Sequence, residues 1–206
     1  MDAVSEWLDE FCEKNTLSAA FLKKIADTEE SDEGLLSLFR YMGDVFSLHR
    51  IMVFECKRKH YTPTYTWSAK DTKPYRQPEE ETVRAAVALT SGRLLNGLHV
   101  LFEDTQAFAV KHPLASQCFA SLDLYSLSAV PLFKDGDPAG FIACDVPDWK
   151  NAHDITAALY LAGRFVMRII RMRNILRSKG GVAAEIDADA DKGVLSAFLR
   201  ENFFDF

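Results

Sequence analysis

The stretch 128–145, SAVPLFKDGDPAGFIACD, joins two apolar runs through a short charged link that carries a glycine. In both runs apolar residues fall on both alternating faces, whereas a strand with one wet face alternates apolar with polar. Residues 129–133 and 139–146 are therefore expected to form strands covered on both sides, with Asp135 and Gly136 turning the chain between them. RIMVFECK, 50–57, has the same character, with Ile51 and Val53 on one face and Met52, Phe54 and Cys56 on the other. A sheet buried on both faces needs helices on both, so the chain is expected to be α+β, a three-layer α/β/α sandwich around an antiparallel sheet. A two-layer ferredoxin-like fold is the competing reading, and strands apolar on both faces count against it. Pro131, inside its run, predicts a bulge or a gap in the ladder.

The other strands and the helices follow from periodicity. YTPTYTWS, 61–68, sets Tyr61, Pro63, Tyr65 and Trp67 on one face and threonines on the other, and its proline marks it as an edge strand. RLLNGLHVLFED, 93–104, reads as a further strand interrupted by Gly97. Val4, Trp7, Leu8, Phe11 and Cys12 recur at helical spacing, as do Leu17, Ala20, Phe21 and Ile25 behind a Thr16 cap, and then Leu35, Leu38, Phe39, Met42 and Phe46. A helix is expected from Pro78 to Gly92, another from Pro113, and a long one over 155–177. Residues 1–30 thus form N-terminal helices, 31–178 the main domain, and 179–206 an acidic linker with a terminal helix that leads toward a further domain in a longer parent.

Composition narrows the functional classes. A formal net charge of -6 argues against a surface built for nucleic acid. Arg164, Arg168, Arg171, Arg173 and Arg177 read as a solvated helix face, since no aromatics interleave them. No apolar run approaches the ~20 residues of a membrane span. The acidic, amphipathic start MDAVSEWLDE is unlike a signal peptide. Cys12, Cys56, Cys118 and Cys144 are scattered without metal-ligand spacing, which predicts reduced thiols in the cytoplasm. No Ser-His-Asp set or glycine-rich phosphate cradle can be assembled, and Glu79, Glu80 and Glu81 read as a helix N-terminus, so no catalytic residue is assigned.

SLSAVPLFKDGDPAGFIACD, 126–145, resembles the signature of GAF domains. A serine (Ser126 or Ser128) precedes Val130-Pro131-Leu132, a polar turn, Gly140-Phe141-Ile142 and a closing Asp145. Trp149 then stands where the family places an aromatic before its long C-terminal helix, and YTPTYTWSA is similar to the GAF second strand. The resemblance spans 35–177. It implies a five- or six-stranded antiparallel sheet, a small-molecule pocket on one sheet face, and regulation of an attached domain, often as a dimer. The residues that GAF domains use for cyclic nucleotides are not recognisable, and Cys118 is followed by Phe119 where bilin-binding members have histidine. Neither cyclic nucleotide, bilin, haem nor metal is therefore supported by a motif.

Tyr65 and Trp67 are expected to face the helix of Cys118 and wall an apolar cavity, with His99, Leu122, Ser128 and Cys144 as further ligand-binding candidates. The competing reading is that these aromatics fill the core. Phe165, Ile169, Met172 and Leu176 follow 4-3-4 spacing, which with Val4, Trp7 and Phe11 predicts a homodimer through terminal helices. The function expected is a non-enzymatic sensing module of a bacterial signalling protein. The alternatives are a thiol enzyme using Cys118 or Cys144, and a dimerisation scaffold with a filled core.

Overall fold

The computed structural model describes residues 19–57, 60–73 and 78–180. Compactness divides the chain into Met1–Ile169 and Ile170–Phe206. Helices α1 (Ala19–Ala26) and α2 (Asp32–Phe46) precede the hairpin of β1 (Arg50–Lys57) and β2 (His60–Ser68). Helix α3 (Glu80–Leu94), the short β3 (Val100–Phe102) and α4 (Pro113–Ser121) lead to the hairpin of β4 (Leu127–Lys134) and β5 (Asp137–Cys144), and α5 (Ala152–Gly180) follows. The expected helix over Val4, Trp7 and Phe11 and the segment 181–206 lie outside the described residues.

The strands form one antiparallel five-stranded sheet in the order β2-β1-β5-β4-β3. The doubly apolar strands β1, β5 and β4 take the middle, and the proline-bearing β2 takes an edge. On one face α3 and α4 pack Ala86, Leu94, Cys118 and Phe119 against Met52, Phe54, Ala129 and Ala143. The other face carries α2 and α5. Gly43 of α2 lies under the Trp67 ring, and Gly163 of α5 meets Val130, Leu132 and Ile142. Val53 and Ile142, at the centre of the sheet, are 0% exposed. The three expected layers are present.

Three local expectations change. Helix α3 runs through Gly92, which has open space around it, and stops only where Gly97 takes φ 77 and Leu98 N–H closes on the Arg93 carbonyl. The strand expected from residue 93 therefore shrinks to three residues. The irregularity in β4 falls between Leu132 and Phe133, just past Pro131, which pairs with Phe141 in register.

Candidate functional site

On the α3/α4 face the layers do not close completely. A cavity of about 40 Å³ lies between Met52 and Phe54 of β1, Ala143 of β5, Val87 of α3, Cys118 of α4 and the corner Leu122–Leu124. Its walls are almost wholly apolar, so it favours an uncharged or apolar group. Cys118 is 3% exposed, and burial pushes its thiol up to about 11 despite a hydrogen bond with Thr82. A thiolate nucleophile is disfavoured there, because charging a buried sulfur costs its hydration. Phe54 and Phe141 stack at 4.7 Å on the cavity's sheet side, and Tyr61 leans on Phe141 at 5.7 Å.

The candidate residues do not converge on this cavity. Cys118 and Leu122 line it. Tyr65 and Trp67 face the opposite side of the sheet, because β2 carries a bulge. Val53 pairs with Tyr65 but Phe54 pairs with Pro63, leaving Thr64 as the extra residue. Period-2 alternation flips at that point, so Tyr61 and Pro63 share the cavity face while Tyr65 and Trp67 turn to α2. Tyr65 Oη donates to Asp32 Oδ1 at 2.6 Å, and Trp67 is seated on Gly43, where any Cβ would overlap its ring. On the α2 side, Gly43 occupies the space against the Trp67 ring.

Ser128 and Cys144 also stand on the α2/α5 face. The Ser128 and Thr156 hydroxyls lie 2.8 Å apart, and Thr156 also donates to the Ala152 carbonyl. Cys144 is 0% exposed, and burial, with Asp145 beside it, pushes its thiol well up. His99 stands edge-on to Tyr160 of α5 at 6.2 Å, away from the cavity. Burial, then the nearby Arg93 and His153, pull its imidazole below the usual histidine value. Of the helix stripe, Phe165 and Ile169 are buried in the single chain at 4% exposure each, while Leu176 is 52% exposed.

The signature residues prove to be joints. Asp145 Oδ1 accepts the backbone N–H of His49 at 2.9 Å and of Arg50 at 2.8 Å, and Oδ2 accepts His49 Nδ1–H at 2.8 Å. That carboxylate ties the end of β5 to the start of β1. Ser126 Oγ both donates to the Val146 carbonyl and accepts its N–H. A second, open cleft of about 340 Å³ lies beside this joint, between Glu103, Asp123, Tyr125 and Trp149. Among the described residues no His, Cys, Asp and Glu cluster suits a metal ion. Sequence reasoning missed Arg50, a buried charge at the start of β1; the signal for it was its place at the head of the apolar run Ile51, Met52, Val53 and Phe54.

No protein-family model matches the chain. No curated protein matches it either. Solved structures do. The blue-light absorbing form of the Thermosynechococcus elongatus PixJ GAF-domain is 13% identical, with a TM-score of 0.51, over 83% of this chain and 99% of that one. The far-red absorbing dark state of JSC1_58120g3, with bound biliverdin, is 10% identical at TM-score 0.54, over 73% and 97%. The chromophore-binding domain of Stigmatella aurantiaca bacteriophytochrome is 11% identical at TM-score 0.54, over 74% and 58%. The chain has a GAF-type fold. A tetrapyrrole does not fit the cavity here: a drug-sized ligand needs roughly 300–1,000 Å³, against about 40 Å³.

Proposed function

We propose that this chain is a non-enzymatic sensory module in which a small apolar ligand enters the cavity under α3 and α4. Its occupancy is relayed through α5 to an attached output domain, of the diguanylate cyclase or histidine kinase type in a bacterial signalling protein. Two such modules pair through their terminal helices. The observation that carries this reading is the placement of the cavity and α5 on opposite faces of the same two strands. Ala129 and Ala143 face the cavity, while their neighbours Val130 and Ile142 meet α5 at Gly163. Side chains of successive strand residues point oppositely, so pushing β4 and β5 from the cavity side displaces the surface on which α5 rests. The Ser128–Thr156 contact fixes the same strand to the same helix. A ligand shifts this arrangement only by its differential affinity for two positions of α5.

Methionine methyl spectra test the relay on the intact chain, since Met52 lines the cavity and Met167 lies on α5. Native mass spectrometry identifies any co-purifying molecule, and small apolar probes supplement it. Probes that shift Met52 are expected to shift Met167 as well. A Met52 shift at saturation with Met167 unmoved would sink the relay, and no Met52 shift with any probe would sink the ligand site.

A further inference from the structure

At one end of the sheet β1 and β4 begin and β3 and β5 end, and the residues flanking them enclose the open cleft of about 340 Å³. Its walls include His49, Glu103, Asp123, Tyr125, Asp145 and Trp149, none of which lines the apolar cavity under α3 and α4. Two of these walls are aromatic rings left in water, Tyr125 at 57% exposure and Trp149 at 37%. Large rings ordinarily bury their apolar area. A tyrosine and a tryptophan wetted on one concave space mark a place for a ligand.

The walls are held in place before any ligand arrives. Buried Thr105 donates through Oγ1 to the Leu124 carbonyl at 2.6 Å, and its N–H donates to the Tyr125 carbonyl at 2.9 Å. That clamp ties the segment after Glu103 to the segment that carries Tyr125. Asp145 accepts from the start of β1, and Ser126 Oγ accepts the Val146 N–H at 3.0 Å. A site ordered in advance loses little conformational freedom on binding.

Charge decides what fits. Asp145 directs both oxygens to backbone N–H groups and to His49 Nδ1. Asp123 Oδ1 lies 3.0 Å from Lys73 Nζ. The Glu103 carboxylate has no ion-pair partner among the described residues. The cleft therefore carries about one negative charge that nothing offsets, which opposes anions and favours a monocation. A primary ammonium is strongly hydrated and brings three donors, for which one uncommitted carboxylate is too few acceptors. A quaternary ammonium has no N–H to satisfy, and its methyl groups pack on aromatic faces.

We propose that this cleft binds a small, free quaternary ammonium ion, with its methyl groups against Tyr125 and Trp149 and its charge balanced by Glu103. The site is separate from the apolar cavity, so its failure would leave the reading of that cavity untouched.

The test labels the full chain with fluorotryptophan and assigns the Trp149 resonance by Trp149→Phe. Choline and tetramethylammonium are the probes. Ethanolamine, betaine and the uncharged tert-butyl isostere of choline are the comparisons. Choline is expected to shift Trp149 saturably and to bind at least about tenfold tighter than its isostere, the worth of a partly desolvated cation–π contact. Glu103→Gln, at an exposed position, is expected to shrink that preference to under about threefold while leaving the isostere's own binding unchanged. Tyr125→Ala is expected to weaken choline about three- to tenfold; should either variant fail to fold, the choline–isostere comparison on the unaltered chain decides. The isostere binding as tightly as choline overturns the charge recognition. Ethanolamine matching choline overturns the quaternary assignment, and betaine matching it overturns the selection against anions. Phosphatidylcholine vesicles that sediment the chain, with free choline inert, overturn the free ligand in favour of a membrane headgroup. Silence of Trp149 with every probe overturns the site.

Discussion

Gly140 and Gly92 show how differently one residue type can be constrained. Gly140 has φ 150 and lies against the Phe54 carbonyl of the neighbouring strand, so a Cβ there is both strained and blocked by backbone. Gly140→Ala is expected to cost at least about 2 kcal/mol in urea unfolding, whereas Gly92→Ala, in open space within α3, is expected to add about 0.5–1 kcal/mol. Equal effects would show that the Phe54 approach is unimportant. The thiols make a second contrast. Cys118 and Cys144 are buried and Cys56 is half-buried, so alkylation at pH 8 followed by mass mapping is expected to mark Cys56 well before the other two. With its thiol raised to about 11 from an ordinary 9.0, Cys118 stays protonated in the fold while the unfolded chain ionises, so stability falls as pH climbs above 9. The signature glycine was legible in the sequence as a motif. Its reason, a backbone passing too close for any side chain, needed the register.

At the scale of elements, the doubly apolar runs became central strands because their composition leaves no face fit for water. The edge strand was legible from Pro63 for a related reason, since proline cannot serve a ladder on both sides. What the letters did not carry was the bulge at Thr64. Alternation of threonine and aromatics runs unbroken through YTPTYTWS, yet one extra residue in the pairing sends Tyr61 and Trp67 to opposite layers. The candidate site inherited that error, because Tyr65 and Trp67 were its anchors. Edge strand β3 was overextended because α3 ignored Gly92. Its flank offers a pH prediction. His99 precedes β3 and leans on Tyr160, whose Oη donates to the Gly97 carbonyl at 3.2 Å, with Arg93 and His153 also nearby. Its folded value is lowered, so below the ordinary 6.5 the unfolded chain takes up the proton first. Stability is therefore expected to fall as pH drops from 7 to 5, and less steeply in His99→Gln. Parallel profiles for the two proteins would remove His99 from the account.

For the whole molecule, the question is what remains of α5 to meet a second copy. The helix runs 29 residues, about 43 Å at 1.5 Å per residue. Its apolar stripe was legible as a 4-3-4 repeat, but spacing cannot distinguish a stripe that completes its own core from one that seeks a partner. Phe165 and Ile169 are already covered at 4% exposure, whereas Leu176 is 52% exposed. A partner helix can gain little from the former pair, so pairing through this helix has to draw on the Leu176 end. Phe165→Ala is thus expected to cost about 3–5 kcal/mol of stability whatever the subunit count. Leu176→Glu is expected to leave the thermal midpoint nearly unchanged while halving the mass seen by light scattering, because a charge in an a/d seam opposes association and an exposed site tolerates it. A mass of 23.2 kDa at every concentration of the unaltered chain would exclude pairing altogether. A dimer indifferent to Leu176→Glu would move the contact off this helix, and the relay proposed through α5 would then have to reach its output without a coiled seam.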